Sequence, residues 1–392
     1  MTQKNRYDVI IAGAGASGLS LLWYLIQSET LGHLKILLID KDFSPKDDKT
    51  WSFWDSGNFP IDDIYHHTWN YLQVNANSQH FREELNLYKY HCIRSYDYAR
   101  KILDMAKNSS RVELLETDIL DFTHDQNSGV ISTKSGEFVA DTIFQSVLKP
   151  RDFLKSKVDT SMSQHFLGWE IETNTDLFDP ETALLMDFDV DQQHGFTFMY
   201  ELPFSKRKAL LEYTLFSSEV LDDSVYEKGI LSYIRNKYNL NREDFSIVRK
   251  EKGVIPMEDR AYSRWYCPHV MNMGTVGGLT KPTTGYTFRR IHEKCQIIVN
   301  ALENETAIPD HPLSSFRFRV YDMMLLNILA TDSDMSVQIF HDLFKKNNFD
   351  RILQFLEEKT SFHQELSIFW SVPSTPFLKS IYAMKHRILT GA

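Results

Sequence analysis

An acidic residue interrupts an otherwise apolar segment near the middle of the chain. Residues 209–216 read ALLEYTLF, which is typical of a buried β-strand except for Glu212. Burial removes the hydration of a carboxylate, so a buried carboxyl group is either paired with a cation or protonated because its pKa rises. A protonated carboxyl group can serve as a general acid. Glu212 is therefore a candidate for acid chemistry, and the alternative is an edge-strand acid that faces water.

Two more acids lie in comparable segments. Asp187 lies in LLMDF, and Glu201 lies in GFTFMYELPF. The basic residues SKRK separate the strand that contains Glu201 from the strand that contains Glu212, which predicts a β-hairpin. One register places Glu201 beside Glu212 and another places Tyr200 there, because a slip of one residue reverses the face of the strand. A Glu201–Glu212 pair would raise the pKa of one carboxyl group by like-charge repulsion.

The first 40 residues contain a dinucleotide-binding pattern. They predict a strand over 8–12, a helix over 16–28 and a second strand over 35–40. The glycines of GxGxxG provide a tight turn, a close approach to a pyrophosphate and close helix–strand packing, and the acid after the second strand binds a ribose hydroxyl. The alternative is a Gly-rich turn that occurs by chance, but such a turn would not be accompanied by a strand, a helix and an acid at this spacing. The predicted cofactor contacts are Gly13, Gly15, Ala16, Gly18, Asp40 and Lys41.

A second glycine-rich segment favours FAD over a nicotinamide cofactor. Residues 270–278 (VMNMGTVGG) predict a strand that ends in a loop, and residues 282–288 (PTTGYTF) predict a helix that begins near Pro282 and Thr283. Backbone N–H groups at such a helix start bind an anion or a ribityl chain. Two phosphate-facing loops about 260 residues apart are the layout of large FAD proteins, and an ordinary Gly-rich connection is the alternative. The predicted contacts are Gly274, Thr275, Pro282, Thr283, Thr284, Gly285 and Tyr286.

The composition excludes several classes of function. A net charge of -10 over 392 residues, with scattered acids, argues against nucleic-acid binding. The 26 Phe, 18 Tyr and 7 Trp residues suit an apolar or planar ligand, although a large core would also use them. Three distant cysteines without a CxxC pair predict reduced thiols in a cytoplasmic protein, and no zinc-site spacing, P-loop or nucleophile elbow is present. The first strand begins too early for a signal peptide, and the apolar run 19–26 is too short to span a bilayer.

The elements around these residues predict an α/β protein with two domains and a helical end. The fold expected is a Rossmann-type FAD-binding domain of the glutathione-reductase-like, two-glycine-motif kind, with an inserted antiparallel β-sheet substrate domain and C-terminal helices. The predicted boundaries are 1–75, 91–150 and 266–300 for a discontinuous FAD-binding domain, 76–90 and 151–265 for the substrate-binding sheet, and 301–392 for the helical region.

Several segments together resemble the FAD-dependent lycopene cyclases of carotenoid biosynthesis, in particular the bacterial lycopene β-cyclases. They extend from residue 8 to about residue 291, and the C-terminal LFKKNNFDRILQFLEE is similar to the family's C-terminal helix. Thr275 follows Gly274 where many FAD proteins have Asp, and a Thr there is similar to the cyclases. The segments are DVIIAGAGASGLSL, DKTWSFW, HFLGWEIET, LLMDF, YELPFSKRKALLEYTLFS, GVIPM and GGLTKPTTGYTFRRI.

The resemblance implies an acid–base cyclisation without net redox change. Each linear end of lycopene is protonated at a terminal double bond, the neighbouring double bond attacks the tertiary carbocation, and loss of a proton leaves a β-ionone ring. Glu212, in LLEYT, corresponds to the family's essential acid, which implies that it is the proton donor. Asp187 is a second catalytic candidate that orients Glu212 or accepts the final proton, and a structural salt bridge is the alternative.

The resemblance also implies the cofactor and the neighbours of the substrate. FAD is expected in its reduced form, with NAD(P)H or another reductant as electron source, and its charge and electron density would act near the cation. Trp51 and Trp54 in DKTWSFW are predicted to lie beside the cofactor or substrate, because aromatic faces stabilise cations. Glu201 and Tyr213 are predicted beside the substrate. A related FAD-dependent isoprenoid reductase or monooxygenase is one alternative function, and a carotenoid-binding carrier with a vestigial flavin site is another.

A substrate dissolved in the bilayer predicts a peripheral membrane protein at the inner membrane. The C-terminal segment PFLKSIYAMKHRILTGA is the expected contact, although the same pattern fits a helix packed on the protein's own core. Its apolar residues recur at helical spacing, and its basic residues suit anionic headgroups. The apolar positions are Phe377, Ile381, Met384 and Ile388, and the basic ones are Lys379, Lys385, His386 and Arg387.

Overall fold

A computed structural model describes residues 6–57, 59–147 and 158–390 as an α/β protein with three β-sheets. The strands are β1 (Arg6–Ala12), β2 (Ile36–Asp40), β3 (Thr50–Asp55), β4 (His67–Trp69), β5 (Tyr71–Ala76), β6 (Gln79–Glu84), β7 (Lys89–Arg94), β8 (Val112–Glu116), β9 (Ile119–His124), β10 (Gly129–Thr133), β11 (Gly136–Gln145), β12 (Ser161–Thr173), β13 (Thr182–Asp187), β14 (Phe196–Pro203), β15 (Lys208–Ser217), β16 (Phe245–Glu258), β17 (Trp265–Cys267) and β18 (Val270–Asn272). The helices are α1 (Ala16–Gln27), α2 (Ser95–Lys107), α3 (Asp223–Tyr238), α4 (Phe288–Glu303), α5 (Phe316–Thr331), α6 (Ser333–Lys346), α7 (Phe349–Leu356), α8 (Phe362–Ser371), α9 (Ser374–Ala383) and α10 (Lys385–Thr390).

The first sheet carries the N-terminal glycine motif. Its parallel part has the order β18–β11–β1–β2–β8, β17 adds an antiparallel edge, and β9 and β10 extend from β11. The apolar runs of β1 and β2 are buried on both faces, as expected for central parallel strands. Leu22 of α1, Ile102 of α2 and Ile298 of α4 pack together on one face. The sequence predicted this strand–turn–helix–strand unit to within two residues.

The second sheet carries Glu212. Its order is β16–β12–β15–β14–β13–β5–β6, and its pairs are antiparallel except for β13 with β5. Side chains alternate along β15, so Leu211, Tyr213 and Leu215 face α3. The opposite face of β15 carries Glu212, and its Leu210 and Phe216 join the core formed with the C-terminal helices. The predicted hairpin between β14 and β15 is confirmed.

A small third sheet connects the two larger ones. Its order is β3–β7–β4, and β3 contains the DKTWSFW tryptophans. The predicted domain boundary between residues 75 and 76 falls inside β5, because residues 71–76 pair with β13 and β6 in the second sheet. Residues 151–157 of the predicted substrate domain lie outside the described part of the chain. Within the described ranges, none of the helices has the length and apolarity required to cross a bilayer.

Candidate active site

The first glycine loop is held tightly between β1 and α1. Gly13 has φ +105°, a conformation that L side chains rarely adopt, and its N–H donates to the Ile39 carbonyl at 2.8 Å. A Cβ at Gly18 would lie 1.9 Å from the Gly13 carbonyl oxygen, so this position requires glycine for the close packing of α1. The Asp40 carboxylate accepts the Ala14 N–H at 2.5 Å. These three residues therefore shape the loop.

Gly15 has a different role from the other two glycines of the motif. A Cβ at Gly15 would meet no atom within 4 Å, and the residue lines a cavity together with Ala16. The backbone at this point is open to a ligand and is not required to be glycine by the protein's own packing. Lys41, the last predicted contact of this segment, is exposed and lies outside the cavity wall.

The second glycine segment lies against the first. Gly274 has φ +61°, and a Cβ there would lie 3.3 Å from the Ser17 Cβ at the start of α1. Gly285 has φ +70°, and a Cβ there would lie 2.4 Å from the Gln164 side-chain oxygen of β12. Gly274, Thr275, Thr284, Gly285 and Tyr286 all line the same cavity as Gly15. The structure thus brings Gly15 and Ala16 of the first segment and most of the predicted contacts of the second segment together around one space, whereas Gly13, Gly18 and Asp40 are outside the cavity wall.

Two predicted contacts of this segment point elsewhere. The helix that was expected to begin near Pro282 begins at Phe288, because residues 282–284 form a turn closed by the Gly285 N–H and the Lys281 carbonyl at 2.9 Å. Thr283 is buried and donates to Asp322 of α5 at 2.8 Å. Pro282 and Thr283 are outside the cavity wall, and Thr283 anchors the loop to the C-terminal helices.

A buried ion-pair network strengthens this anchor. The Lys281 ammonium contacts Asp322 at 2.9 Å and Glu358 at 3.0 Å. Glu358 also accepts from Ser314 at 2.6 Å, and the cations around it hold the pKa of its carboxyl group below the ordinary value in spite of burial. The C-terminal helical region therefore fixes the position of the PTTG turn.

The cavity between the glycine loops and the second sheet has a volume of about 390 Å³. Its wall combines predicted residues from both loops, Trp51 from β3 and Glu212 from β15. Much of the remaining wall was not predicted from the sequence. These residues include Tyr90, Gln164, Phe166, Leu210, Glu251, Val254, Ile255 and Phe288, whereas Tyr200 was one of the two residues expected beside Glu212.

Glu212 has the environment of a protonated acid. Burial raises its pKa well above the ordinary value, and the charge and hydrogen bonding of Glu251 raise it further. The Thr214 hydroxyl donates to the Glu212 Oε1 at 3.1 Å, which favours the ionised form but is outweighed. The alternative of an edge-strand acid facing water is wrong, because β15 lies between β12 and β14 in the sheet interior.

The partner of Glu212 is Glu251, which sequence reasoning missed. Gly168 of β12 is paired with Glu212 of β15 on one side and with Glu251 of β16 on the other. The three residues therefore share one face of the sheet, and the central one has no side chain to separate the carboxyl groups. Glu251 lies in RKEKG, a charged segment typical of a solvent-facing strand, and only the pairing of three distant strands reveals it.

Glu251 is held by donors on its other side. Its Oε2 accepts from the Arg249 guanidinium at 2.5 Å and from the Thr50 hydroxyl at 2.8 Å. Arg94 donates to the same hydroxyl at 3.2 Å and forms a buried ion pair with Glu170. Glu251 is therefore charge-paired, whereas Glu212 faces no cation at hydrogen-bond distance among the described residues.

Tyrosines surround the Glu212 side of the cavity. Tyr200 pairs directly with Glu212 in the β14–β15 register, and Tyr90 and Tyr286 join their hydroxyls at 2.9 Å. Burial raises the pKa of all three phenols well above the ordinary value, so they remain neutral. Aromatic faces beside an acid provide a site that is apolar and yet favourable to a cation.

The two predicted tryptophans occupy different positions. Trp51 lines the cavity and stacks on Phe288, with ring centroids 5.1 Å apart and planes at 16°. Trp54 packs edge-on against Tyr286 at 4.6 Å and lines a second cavity of about 250 Å³. The second cavity also contacts Tyr286 and Thr284, so these two residues separate it from the first.

The register corrects the prediction for Glu201 and Tyr213. Because Tyr200 is opposite Glu212, Glu201 points to the α3 side of the sheet, where it accepts from Lys237 at 2.7 Å and from Tyr238 at 2.5 Å. The Glu201–Glu212 pair does not form. Tyr213 packs on α3, and both residues lie outside the cavity wall.

Asp187 is also on the α3 side. Its Oδ2 accepts from Asn75 at 2.9 Å and from Tyr233 at 2.8 Å, and the Lys237 ammonium lies 3.9 Å away. Asp187 and Glu212 therefore do not meet, because the sheet separates them. The contacts of Asp187 fit the alternative given for it, a structural salt bridge, here with Lys237. Within the described residues no cluster of three or more His, Cys, Asp or Glu side chains is arranged to hold a metal ion.

The family model described as "Lycopene cyclase protein" matches residues 8–382. The chain belongs to the lycopene cyclase family. A lycopene β-cyclase from Pantoea ananas is 26% identical over an alignment 401 residues long, which covers 96% of this chain and 98% of that protein. The resemblance of the motifs to this family is thus confirmed, and the chain is an enzyme of the lycopene cyclase type.

Solved structures confirm the fold class. A geranylgeranyl bacteriochlorophyll reductase-like protein from Thermoplasma acidophilum has a TM-score of 0.65 at 13% identity, and the match covers 97% of this chain and 99% of that one. A halogenase solved with phloroglucinol and FAD has a TM-score of 0.60 at 11% identity, with 98% and 93% covered. The shared architecture is the Rossmann-type flavoprotein fold with a second sheet and C-terminal helices.

Proposed function

We propose that this enzyme is a lycopene β-cyclase that converts the linear ends of lycopene to β-ionone rings by acid–base catalysis. The observation that carries the proposal is the buried Glu212, which lies in the wall of a cavity lined largely by apolar and aromatic side chains and whose pKa is raised by burial and by Glu251. An alkene is a very weak base, so its donor must be protonated and out of water. Membership of the lycopene cyclase family supports the substrate class.

The reaction requires two proton transfers, one from the enzyme to the substrate and one from the cyclised substrate back to a base. The Glu212 O–H bond breaks and a C–H bond forms at the terminal double bond, which leaves a tertiary carbocation on the neighbouring carbon. The next double bond supplies the electron pair for the new C–C bond and closes the ring. Loss of a ring proton restores a double bond, so no electrons are gained or lost. The tyrosine and tryptophan faces around Glu212 favour the intermediate cation.

The residues of the glycine loops fit FAD. Gly15 leaves open space beside a backbone that faces the cavity, and Gly274 and Gly285 allow close approach of a second loop. The Ala14 N–H is already bonded to Asp40, so this acid shapes the loop and would have only its remaining acceptor capacity for a ribose hydroxyl. When bound in reduced form, the flavin supplies negative charge and electron density near the cation.

Measurement of product and reductant together tests this proposal. Purified enzyme with reduced flavin, kept anaerobic, is supplied with lycopene in liposomes, and carotenoids and oxidised NAD(P)H are quantified. Cyclic product in large excess over reductant consumed is expected. One reductant per product under these anaerobic conditions indicates the reductase alternative, and product that forms only when oxygen is admitted indicates the monooxygenase. Binding of lycopene without any new product indicates the carrier.

We also propose that the enzyme acts as a peripheral protein on the cytoplasmic face of the inner membrane, through a surface shifted from the one the sequence suggested. Met384 is 3% exposed and Arg387 is 2% exposed, with Arg387 donating to the Asp259 carbonyl at 2.7 Å. They serve the protein's own packing. Ile381 (41%) of the predicted face is exposed on α9. The other exposed apolar side chains of α8 and α9 are Phe362 (58%), Trp370 (85%), Leu378 (64%) and Tyr382 (74%).

Basic residues accompany this apolar surface. Lys379 is exposed on α9, and the Lys385 ammonium lies 4.5 Å from the Tyr382 ring centroid. Aromatic side chains with adjacent lysines suit a bilayer interface with anionic headgroups. The hydrogen bond from Arg387 to the Asp259 carbonyl also places α10 next to the end of β16. Asp259 follows the cavity residue Pro256 by three residues. Such a surface would hold the enzyme where its hydrocarbon substrate is dissolved.

A further inference from the structure

We infer that Glu251 is a second catalytic carboxyl group, which holds the negative charge of the pair while Glu212 carries the proton and then accepts the proton that the cyclised product loses. This inference rests on the proposed cyclase function and assigns the base that the reaction requires. Glu251 has the three properties that this role needs: access to the cavity, contact with Glu212, and a fixed charge.

Access and contact follow from the backbone at Gly168. A Cβ added to Gly168 would lie 3.2 Å from the Glu251 Cγ and 3.5 Å from the Glu212 Cβ, so any larger residue would enter the space between the two side chains. Both carboxyl groups line the same cavity. They are therefore within reach of one substrate end and of each other, across a strand that contributes only backbone.

The neighbouring side chains determine which of the two carboxyl groups is ionised. Arg249 and Thr50 both donate to the Oε2 of Glu251, which leaves its Oε1 free of these two donors. Among the residues that the structure describes, Glu212 accepts a side-chain hydrogen bond only from the Thr214 hydroxyl. A pair of close carboxyl groups shares one proton, and the member with the cation keeps the charge. Glu251 is thus the carboxylate and Glu212 the acid before the substrate reacts.

Other polar groups around the pair do not reverse this assignment. Tyr200 and Tyr286 face Glu212 and stay neutral, and Arg94 next to Thr50 is paired with Glu170. The titratable and charged groups that face the pair from its neighbouring strands and loops are Asp47, Asp48, Lys49, Tyr90, Arg94, Glu170, Tyr200, Lys208, Arg249 and Tyr286.

The catalytic cycle then closes within the pair. Glu212 gives its proton to the terminal double bond and becomes a carboxylate, and the ring forms with its positive charge between aromatic faces and two carboxylates. The Glu251 carboxylate removes the ring proton, so that a C–H bond breaks, an O–H bond forms and the double bond of the product appears. The proton returns from Glu251 to Glu212 across the gap above Gly168, where no side chain separates the two carboxyl groups. The starting protonation state is restored without a proton from solvent.

The test compares substitutions of the two carboxyl groups of β16, Glu251 and Glu258. Glu251→Gln keeps the shape of the side chain but removes the charge and the base. Turnover on lycopene should fall by about 100-fold or more, as expected for loss of a general base. Because the like charge beside Glu212 is removed, the pH at which activity declines on the alkaline side should move to lower pH. Glu258→Gln, near the end of the same strand and outside the cavity wall, is the matched control and should retain turnover and profile.

A spectroscopic readout separates this role from a structural one. The infrared band of a protonated carboxyl group, which wild type should show and Glu212→Gln should lack, is expected to weaken at a lower pH in Glu251→Gln than in wild type. Removal of the like charge lowers the pKa of Glu212, which burial still raises. Glu251→Asp restores the charge and should recover part of the band. Gly168→Val keeps both carboxyl groups but separates them, and should also weaken it.

Two results would overturn the inference. One is a Glu251→Gln enzyme, folded by circular dichroism, with wild-type turnover and an unshifted pH profile. The other is an unchanged infrared band in both Glu251→Gln and Gly168→Val. In either case wild-type enzyme still forms cyclic carotenoid. If wild-type enzyme forms no cyclic product, the proposed function itself fails, which is a distinct outcome.

Discussion

At the level of single residues, the proposed chemistry depends on one carboxyl group, Glu212, whose pKa is raised by burial. Glu212→Gln is isosteric but cannot protonate an alkene, so turnover should fall by about 100- to 10,000-fold while flavin content and fold are retained. Carotenoid analysis of lycopene-containing liposomes measures this. Asp187→Asn is the matched control, because its contacts to Asn75 and Tyr233 lie on the other side of the sheet. It should lower the free energy of unfolding and leave turnover largely intact, and near wild-type activity in Glu212→Gln would remove Glu212 from the mechanism.

The same residue should make stability depend on pH. The pKa of Glu212 is higher in the folded than in the unfolded state, so the folded protein binds the proton more tightly. The free energy of unfolding therefore decreases as pH rises from the unfolded pKa toward the folded one. Glu212→Gln lacks this penalty and should be more stable than wild type by about 1–3 kcal/mol at neutral pH, with little difference near pH 4. Urea titrations at both pH values measure the effect, and a difference that is independent of pH would contradict it.

At the level of elements, the two glycine loops make separate demands that substitution can distinguish. Gly15→Val places its side chain in the cavity without a clash in the protein, so the variant should fold and lose bound flavin. Gly18→Val forces a Cβ to within 1.9 Å of the Gly13 carbonyl oxygen and should destabilise the fold itself. Flavin absorbance and thermal unfolding of the two purified proteins provide the comparison. Full flavin content in Gly15→Val would mean that the cavity is not the flavin site.

Local sequence predicted the elements but not the contacts between distant strands. The strand, glycine turn and helix of residues 6–40 depend on short-range spacing, and the β14–β15 hairpin depends on a four-residue basic turn. Whether Tyr200 or Glu201 is next to Glu212 depends on a register of one residue, which the hydrophobic pattern leaves open because both faces of these strands are buried. Glu251 reaches the site only through β12, about 80 residues earlier in the chain, so no local pattern identifies it.

At the level of the whole molecule, the proposed lycopene substrate dissolves in the bilayer, so we expect a membrane-facing surface, and the structure changes which residues should test it. The pair Lys379→Glu and Lys385→Glu reverses the exposed charges near Tyr382, while the buried Arg387 is left intact because its loss would unfold α10. This variant should bind anionic liposomes at least several-fold more weakly and lose activity on bilayer-borne lycopene, because each lysine contributes about 1 kcal/mol at such a surface.

Control variants make that result specific to the α9 surface. The pair Lys206→Glu and Lys228→Glu makes the same charge change on the hairpin turn and on α3, and it should leave liposome binding nearly unchanged. Trp370→Ala should weaken binding at high salt, where the lysine contribution is screened and the apolar contribution is retained. Activity on detergent-solubilised lycopene should survive in all of these proteins, because none of the altered side chains lines the cavity. Equal losses of liposome binding in both lysine pairs would indicate attraction by overall charge, and unchanged binding in all variants would place the docking surface elsewhere.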